Sequence, residues 1–218
     1  MGFSDVLVES FNHMNRLGEP FIRTLIDSGE DMSNKYAFSE VFDNIGPDKI
    51  PITDEIPIGL KKCKEFGIRN VVMELDLYYF DIDYLKFNVE KICELLSNRF
   101  KWIRENLSSV AKIFVNIRDF SPCMVAHPDR SLAIIRYISS LPTHERILGL
   151  AYEDGGQNDS GQLALWTARV RREMNRCGWE GGHLIVHIHE QFGMCNVVQL
   201  ECLAHGATGK CLVIHVFQ

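Results

Sequence analysis

No apolar stretch in the 218 residues reaches the ~18 that a bilayer-crossing helix needs, so no membrane span is expected. The opening Met-Gly-Phe-Ser-Asp-Val-Leu-Val-Glu lacks the basic region and long apolar core of a secretory signal. Val6 stands where a myristoylation signal carries Ser or Thr. No run of like charges exceeds a few residues, and the net charge is −6, which argues against a nucleic-acid surface. There is no Cys-x-x-C. The seven cysteines (Cys63, Cys93, Cys123, Cys177, Cys195, Cys202 and Cys211) are odd in number and irregularly spaced. That pattern fits a reduced, cytoplasmic protein better than a disulfide scaffold. No nucleophile elbow is present, which removes the open-sheet hydrolases. No Pro/Ser-rich linker divides the chain, so residues 1–218 read as one domain.

What is present is an alternation of strand-like and helix-like segments. Six short apolar runs end in polar residues: 36–42, 70–78, 112–119, 147–152, 184–189 and 211–217. Most of their starts lie roughly 35 to 40 residues apart. Helical patterning fills the gaps at 56–66, 84–107, 128–140, 161–176 and 195–204, with Gly67 and Gly206 as stops. Residues 4–28 read as a helical segment, Val6–Leu17 followed by Pro20–Ser28. Repeated βα units and nearly continuous apolar strands imply a parallel α/β sheet. The repeat suits a (β/α)8 TIM barrel, for which about six units are visible, so an incomplete barrel is expected. An open doubly wound sheet is the alternative.

In parallel α/β folds, reactive groups collect at the C-terminal ends of strands. Here those ends carry Asp43 and Asn44, Glu74 and Asp76, Arg118 and Asp119, Glu153 and Asp154, and His187, His189 and Glu190. His187 and His189 are two apart on a strand and so point to one face. Paired imidazoles amid carboxylates suit magnesium, manganese or zinc. Glu74 and Asp76 share a face by the same spacing. Arg118 could hold a substrate carboxylate or stabilise an enolate, or pair with an acid across strand ends. Asp154-Gly155-Gly156 could cradle a phosphate, but no P-loop lysine follows and a plain turn is the simpler reading. The cysteines and Trp102, Trp166 and Trp179 read as packing groups.

The segment from His187 to Ala207 resembles a known signature: an apolar strand, His-x-His, a nearby glycine, then a helix ending in Gly-Ala. It is similar to the pyruvate carboxyltransferase-like, or 3-hydroxy-3-methylglutaryl-CoA lyase-like, TIM barrels. These include isopropylmalate and homocitrate synthases and 4-hydroxy-2-oxovalerate aldolases. His187, His189, Gly193 and Gly206-Ala207 carry the match, and 147–154 with its following helix fits the family's fifth unit. The resemblance implies a divalent-metal-dependent carbon–carbon lyase or condensing enzyme. Its substrate would be a 2-oxo or hydroxy acid or an acyl-CoA thioester, and a homodimer is possible.

By that resemblance His187 and His189 are metal ligands. Only these two carry over; from the strand-end acids themselves, Glu74, Asp76 or Asp119 would supply the carboxylate, Asp76 being the expected third ligand, and Arg118 and Asp119 are the catalytic candidates. The sequence departs from the pattern in three places. Glu190 replaces an Asp or Asn, no Arg-Asp-Gly strand opens the chain, and Arg118-Asp119 fits the fourth strand rather than the first. A divergent relative, truncated at both ends, is therefore expected. A catalytically inactive barrel that binds a small molecule or a partner is the alternative.

Overall fold

The computed structural model describes residues 6–11, 18–155, 160–189 and 193–210. They form two compact units: residues up to Leu75 with Tyr79–Phe114, and Asp76–Tyr78 with Val115 onward. Strand order in the sheet follows chain order, β1 to β7, and every pairing named below is parallel.

The first unit opens with β1 (Val6–Phe11), α1 (Glu19–Asp27), a 3-10 turn (Met32–Asn34) and β2 (Lys35–Glu40). It continues with α2 (Ile58–Glu65), β3 (Asn70–Asp76), α3 (Val89–Asn106) and the start of β4 (Ile113–Arg118). The helix expected over Val6–Leu17 is corrected by this structure. Val6–Phe11 is a strand paired with β2, from Val6 opposite Lys35 to Phe11 opposite Ser39. The apolar run is too short for periodicity to separate helix from strand, and pairing with a neighbouring strand decides it. Residues 12–17 lie outside the described residues.

β2 and β3 align from Tyr36 opposite Asn70 to Glu40 opposite Glu74. Ala37, Val71, Met73 and Leu75 share one face of the sheet by register and two-residue spacing, and all four are fully buried. In α3 the Asn88 side chain accepts from the Lys91 backbone N–H and caps the helix. Ile92, Leu95, Leu96, Phe100 and Ile103 bury one stripe of it. Arg99 sits on the same face, only 2% exposed. Its guanidinium donates to the carbonyls of Val41 at 2.9 Å, Thr53 at 2.9 Å and Glu55 at 2.7 Å. It thereby ties the loop after β2 to the helix.

α2 ends as expected at Gly67, whose φ of +70° is left-handed. Its second residue, Gly59, has no room for a side chain. A Cβ there would lie 2.4 Å from Ser39 Oγ and 2.7 Å from the Phe11 carbonyl oxygen. Gly59→Ala is expected to cost about 2 kcal/mol despite alanine's higher helix propensity, because a backbone carbonyl must move. Urea denaturation checks it: the midpoint should fall with an unchanged slope.

The second unit contains the end of β4, α4 (Phe120–Ala126), α5 (Pro128–Ser139) and β5 (Gly149–Asp154). It closes with α6 (Ser160–Arg176), β6 (His183–Ile188), α7 (Cys195–Ala204) and β7 (Gly209–Lys210). α4 has no counterpart in the sequence reading, since seven residues broken by Pro122 carry no helical period. The strand expected over 211–217 lies outside the described residues. β5 and β6 pair from Gly149 opposite His183 to Asp154 opposite Ile188. β6 continues onto β7, Ile185 opposite Gly209. Leu150, Tyr152, Leu184 and Val186 fill the interior. The Tyr152 ring stacks on Phe120 at 4.3 Å, and its buried hydroxyl is bonded to Thr167.

Candidate metal centre

β5 and β6 run side by side, and their register sets Glu153 opposite His187. In parallel strands, residues in register project to the same face. His189 follows one residue past β6, and its backbone N–H donates to the Asp154 carbonyl at 2.9 Å, continuing the ladder. The i, i+2 spacing therefore holds, and the two imidazoles stack at 4.8 Å between centroids, 16° from parallel.

Glu153 closes the group. Its Oε1 lies 2.8 Å from His189 Nε2, and its Oε2 accepts from Asn116 Nδ2 at 3.4 Å. One ligand atom from each of Glu153, His187 and His189 falls within 4.8 Å of the others. Atoms sharing a metal with bonds of about 2.1 Å sit roughly 3–3.5 Å apart, so small side-chain rotations would bring these three to coordinating distance.

His187 is half-buried, and its Nδ1 is buried with no hydrogen-bond partner among the described residues. Burial holds its pKa below the usual imidazole value. Glu153 opposes that shift and His189 reinforces it. A neutral imidazole is the form that binds metal. Two imidazoles, a carboxylate and an unpartnered ring nitrogen thus fit a divalent cation.

The other expected residues take different places. Asp76 lies outside this three-residue group; its carboxylate forms an ion pair with Arg118 at 2.5 Å. Glu74 belongs to the first unit. In that unit Asp43 accepts the Ile58 backbone N–H at 2.6 Å. Arg118 closes β4, and Asp119 follows it in a left-handed conformation, φ 47° and ψ 46°. Few residues other than glycine adopt it, and aspartate is among those that do. Burial raises the pKa of Asp119, with Asp76 and Glu153 adding to the shift.

Of Asp154-Gly155-Gly156, the last residue lies outside the described residues, as does Glu190. Trp179 is buried and Trp166 meets Phe120 edge-on, both as packing groups. The Cys195 thiol donates to the Ile188 carbonyl at 3.1 Å.

Glu153 and Asn116 are the residues the sequence reading did not select. Glu153 was legible as a strand-end acid. Ending the strand at Tyr152 instead of Asp154 hid its register with His187.

Asp119→Asn should stabilise the protein only slightly at pH 7, by about 0.2 kcal/mol after solvent screening of this exposed side chain, since it removes a charge disfavoured by partial desolvation and acidic neighbours. The sign follows from the raised pKa. Native-state protonation of Asp119 favours folding at low pH, and that contribution is lost as pH rises through the native value. The mutant's advantage should therefore vanish towards pH 3, which thermal melts across pH would check.

No family model matches the chain, and no curated protein matches it. Solved structures do. An HMG-CoA lyase from A. baumannii, determined with coenzyme A and 3-methylmalate, is similar at a TM-score of 0.58 and 13% identity. The match covers 96% of this chain and 62% of that one. The carboxyl transferase domain of Rhizobium etli pyruvate carboxylase is similar at 0.54 and 12% identity, over 94% of this chain and 32% of that one. Both are pyruvate carboxyltransferase-like TIM-barrel enzymes. This chain thus spans less than two thirds of either. At such identities the likeness shows the fold: α/β, of the TIM-barrel kind, which fits the expected incomplete barrel. Among the described residues, no helix is long and apolar enough to cross a membrane.

Proposed function

We propose that Glu153, His187 and His189 bind a divalent cation, magnesium, manganese or zinc, and that the chain makes or breaks a carbon–carbon bond in a small acid. The substrate class would be a 2-oxo or hydroxy acid or its CoA thioester. One observation carries this reading: two imidazoles and a carboxylate converge at the C-terminal ends of β5 and β6, in a fold shared with a lyase and a carboxyl transferase. That end of the strands is where such folds do chemistry.

When bound, the cation would act as a Lewis acid on a substrate oxygen. The remaining work falls to the chain. Arg118, oriented by its ion pair with Asp76, offers a planar fork for a carboxylate or a developing enolate oxygen. Asp119, its carboxyl pKa raised by desolvation and its acidic neighbours, would be a stronger base than an ordinary aspartate for taking and returning a proton. Asp76 in this scheme positions Arg118 and is not a ligand.

The test is turnover. Oxo acids, hydroxy acids and acyl-CoA thioesters would be incubated with protein and manganese, and products read by mass spectrometry. The reading requires turnover that stops with chelator and returns with metal. Metal-independent turnover, or none across the panel from folded, metal-loaded protein, would count against it.

A further inference from the structure

We propose that Asn116 is the positioning residue of this centre, its carboxamide N–H holding Glu153 so that one carboxylate oxygen faces the histidines. The inference rests on the metal-site reading above and deepens it. Asn116 lies on β4, 1% exposed. Its Nδ2 donates to Glu153 Oε2 at 3.4 Å, while Glu153 Oε1 meets His189 Nε2 at 2.8 Å. The two carboxylate oxygens thus have separate partners, one donor on each side.

Glutamate has three rotatable side-chain bonds, and a carboxylate at a strand end would otherwise sample several rotamers. A fixed donor on the oxygen away from the histidines removes that freedom. Outer partners of this kind commonly set the orientation of a ligating group.

The other end of the same amide strengthens the case. Asn116 Oδ1 is buried and has no hydrogen-bond partner among the described residues. An unmet buried acceptor is unfavourable, and an apolar side chain of similar volume would relieve it. Packing alone therefore gives no reason for asparagine at this position. The donor on Nδ2 does.

Stability and binding should consequently part company on substitution. Asn116→Leu keeps the number and branching of the side-chain heavy atoms and removes the donor. Asn116→Asp keeps the shape, removes the donor and sets a second carboxylate against Glu153. Two readouts would be taken at one fixed pH: manganese and zinc affinity by titration calorimetry, and the imidazole nitrogen signals of His189 in metal-free, 15N-histidine-labelled protein. Asn116→Leu is expected to remain folded, to shift the His189 signals, and to bind metal about 10–100-fold more weakly, beyond any loss that its added bulk causes in stability. Asn116→Asp should lose at least as much affinity.

Unchanged His189 signals together with unchanged affinity in a folded Asn116→Leu protein would overturn the proposal. So would affinity lost only in proportion to stability. If wild type itself takes up no metal, the metal-site reading fails, and the His189 signals alone then judge whether Asn116 holds Glu153.

Discussion

Replacing His187 and His189 together by alanine is expected to lower divalent-metal affinity by at least 100-fold, about 2.7 kcal/mol or more. Wild type should bind manganese or zinc in the micromolar range or tighter. The imidazoles are two of the three ligands gathered within 4.8 Å, and no other group of three or more potential ligands occurs among the described residues. Nothing described here would replace them. Glu153→Gln should be milder, a 10–100-fold loss, because a neutral amide oxygen can still face the site but brings no charge. Neither change should unfold the protein, since His189 is exposed and His187 only half-buried. Calorimetric titration of all three proteins, with circular dichroism as the control for folding, checks the series. Wild-type affinity in a folded double mutant would move the metal elsewhere.

The second large effect is on stability. Arg99→Met should destabilise the protein by about 3 kcal/mol or more, on the scale of losing a buried charged donor that serves several acceptors. Methionine keeps the aliphatic packing of α3 but leaves three carbonyls, those of Val41, Thr53 and Glu55, without the donor they share. Lysine is not a conservative alternative. It carries a single ammonium in place of the planar fork that spans these acceptors. Desolvation lowers the Arg99 pKa, yet an arginine stays charged, so the energy resides in the hydrogen bonds. Urea midpoints of wild type, Arg99→Met and Arg99→Lys measure it. A loss near zero for methionine would mean that water reaches those carbonyls.

The half of the centre on β6 was legible because its signal is local. An apolar run ending in His-x-His needs only the two-residue period of a strand. α5, α6 and α7 were legible for a similar reason: each repeats its apolar residues over several turns. Arg118 and Asp119 were rightly set at the end of a fourth strand, which is β4. Glu153 required more. Its place opposite His187 depends on pairing between β5 and β6, thirty-four residues apart in the register Glu153 to His187, and pairing leaves no mark on either strand alone. β1 was misread because Val6–Phe11 is short and apolar on both periods, and its partner β2 settles it. Asp119's left-handed backbone and Asn116's hold on Glu153 depend likewise on surroundings that sequence spacing does not encode.

The most direct test is to locate the ion. Crystals grown with manganese or zinc would be measured at the metal's absorption edge. A single strong anomalous peak about 2.1 Å from one atom each of Glu153, His187 and His189 is the predicted result. A metal-loaded protein whose peak lies away from all three, or that shows Asp76 in place of Glu153 as the carboxylate ligand, would contradict it.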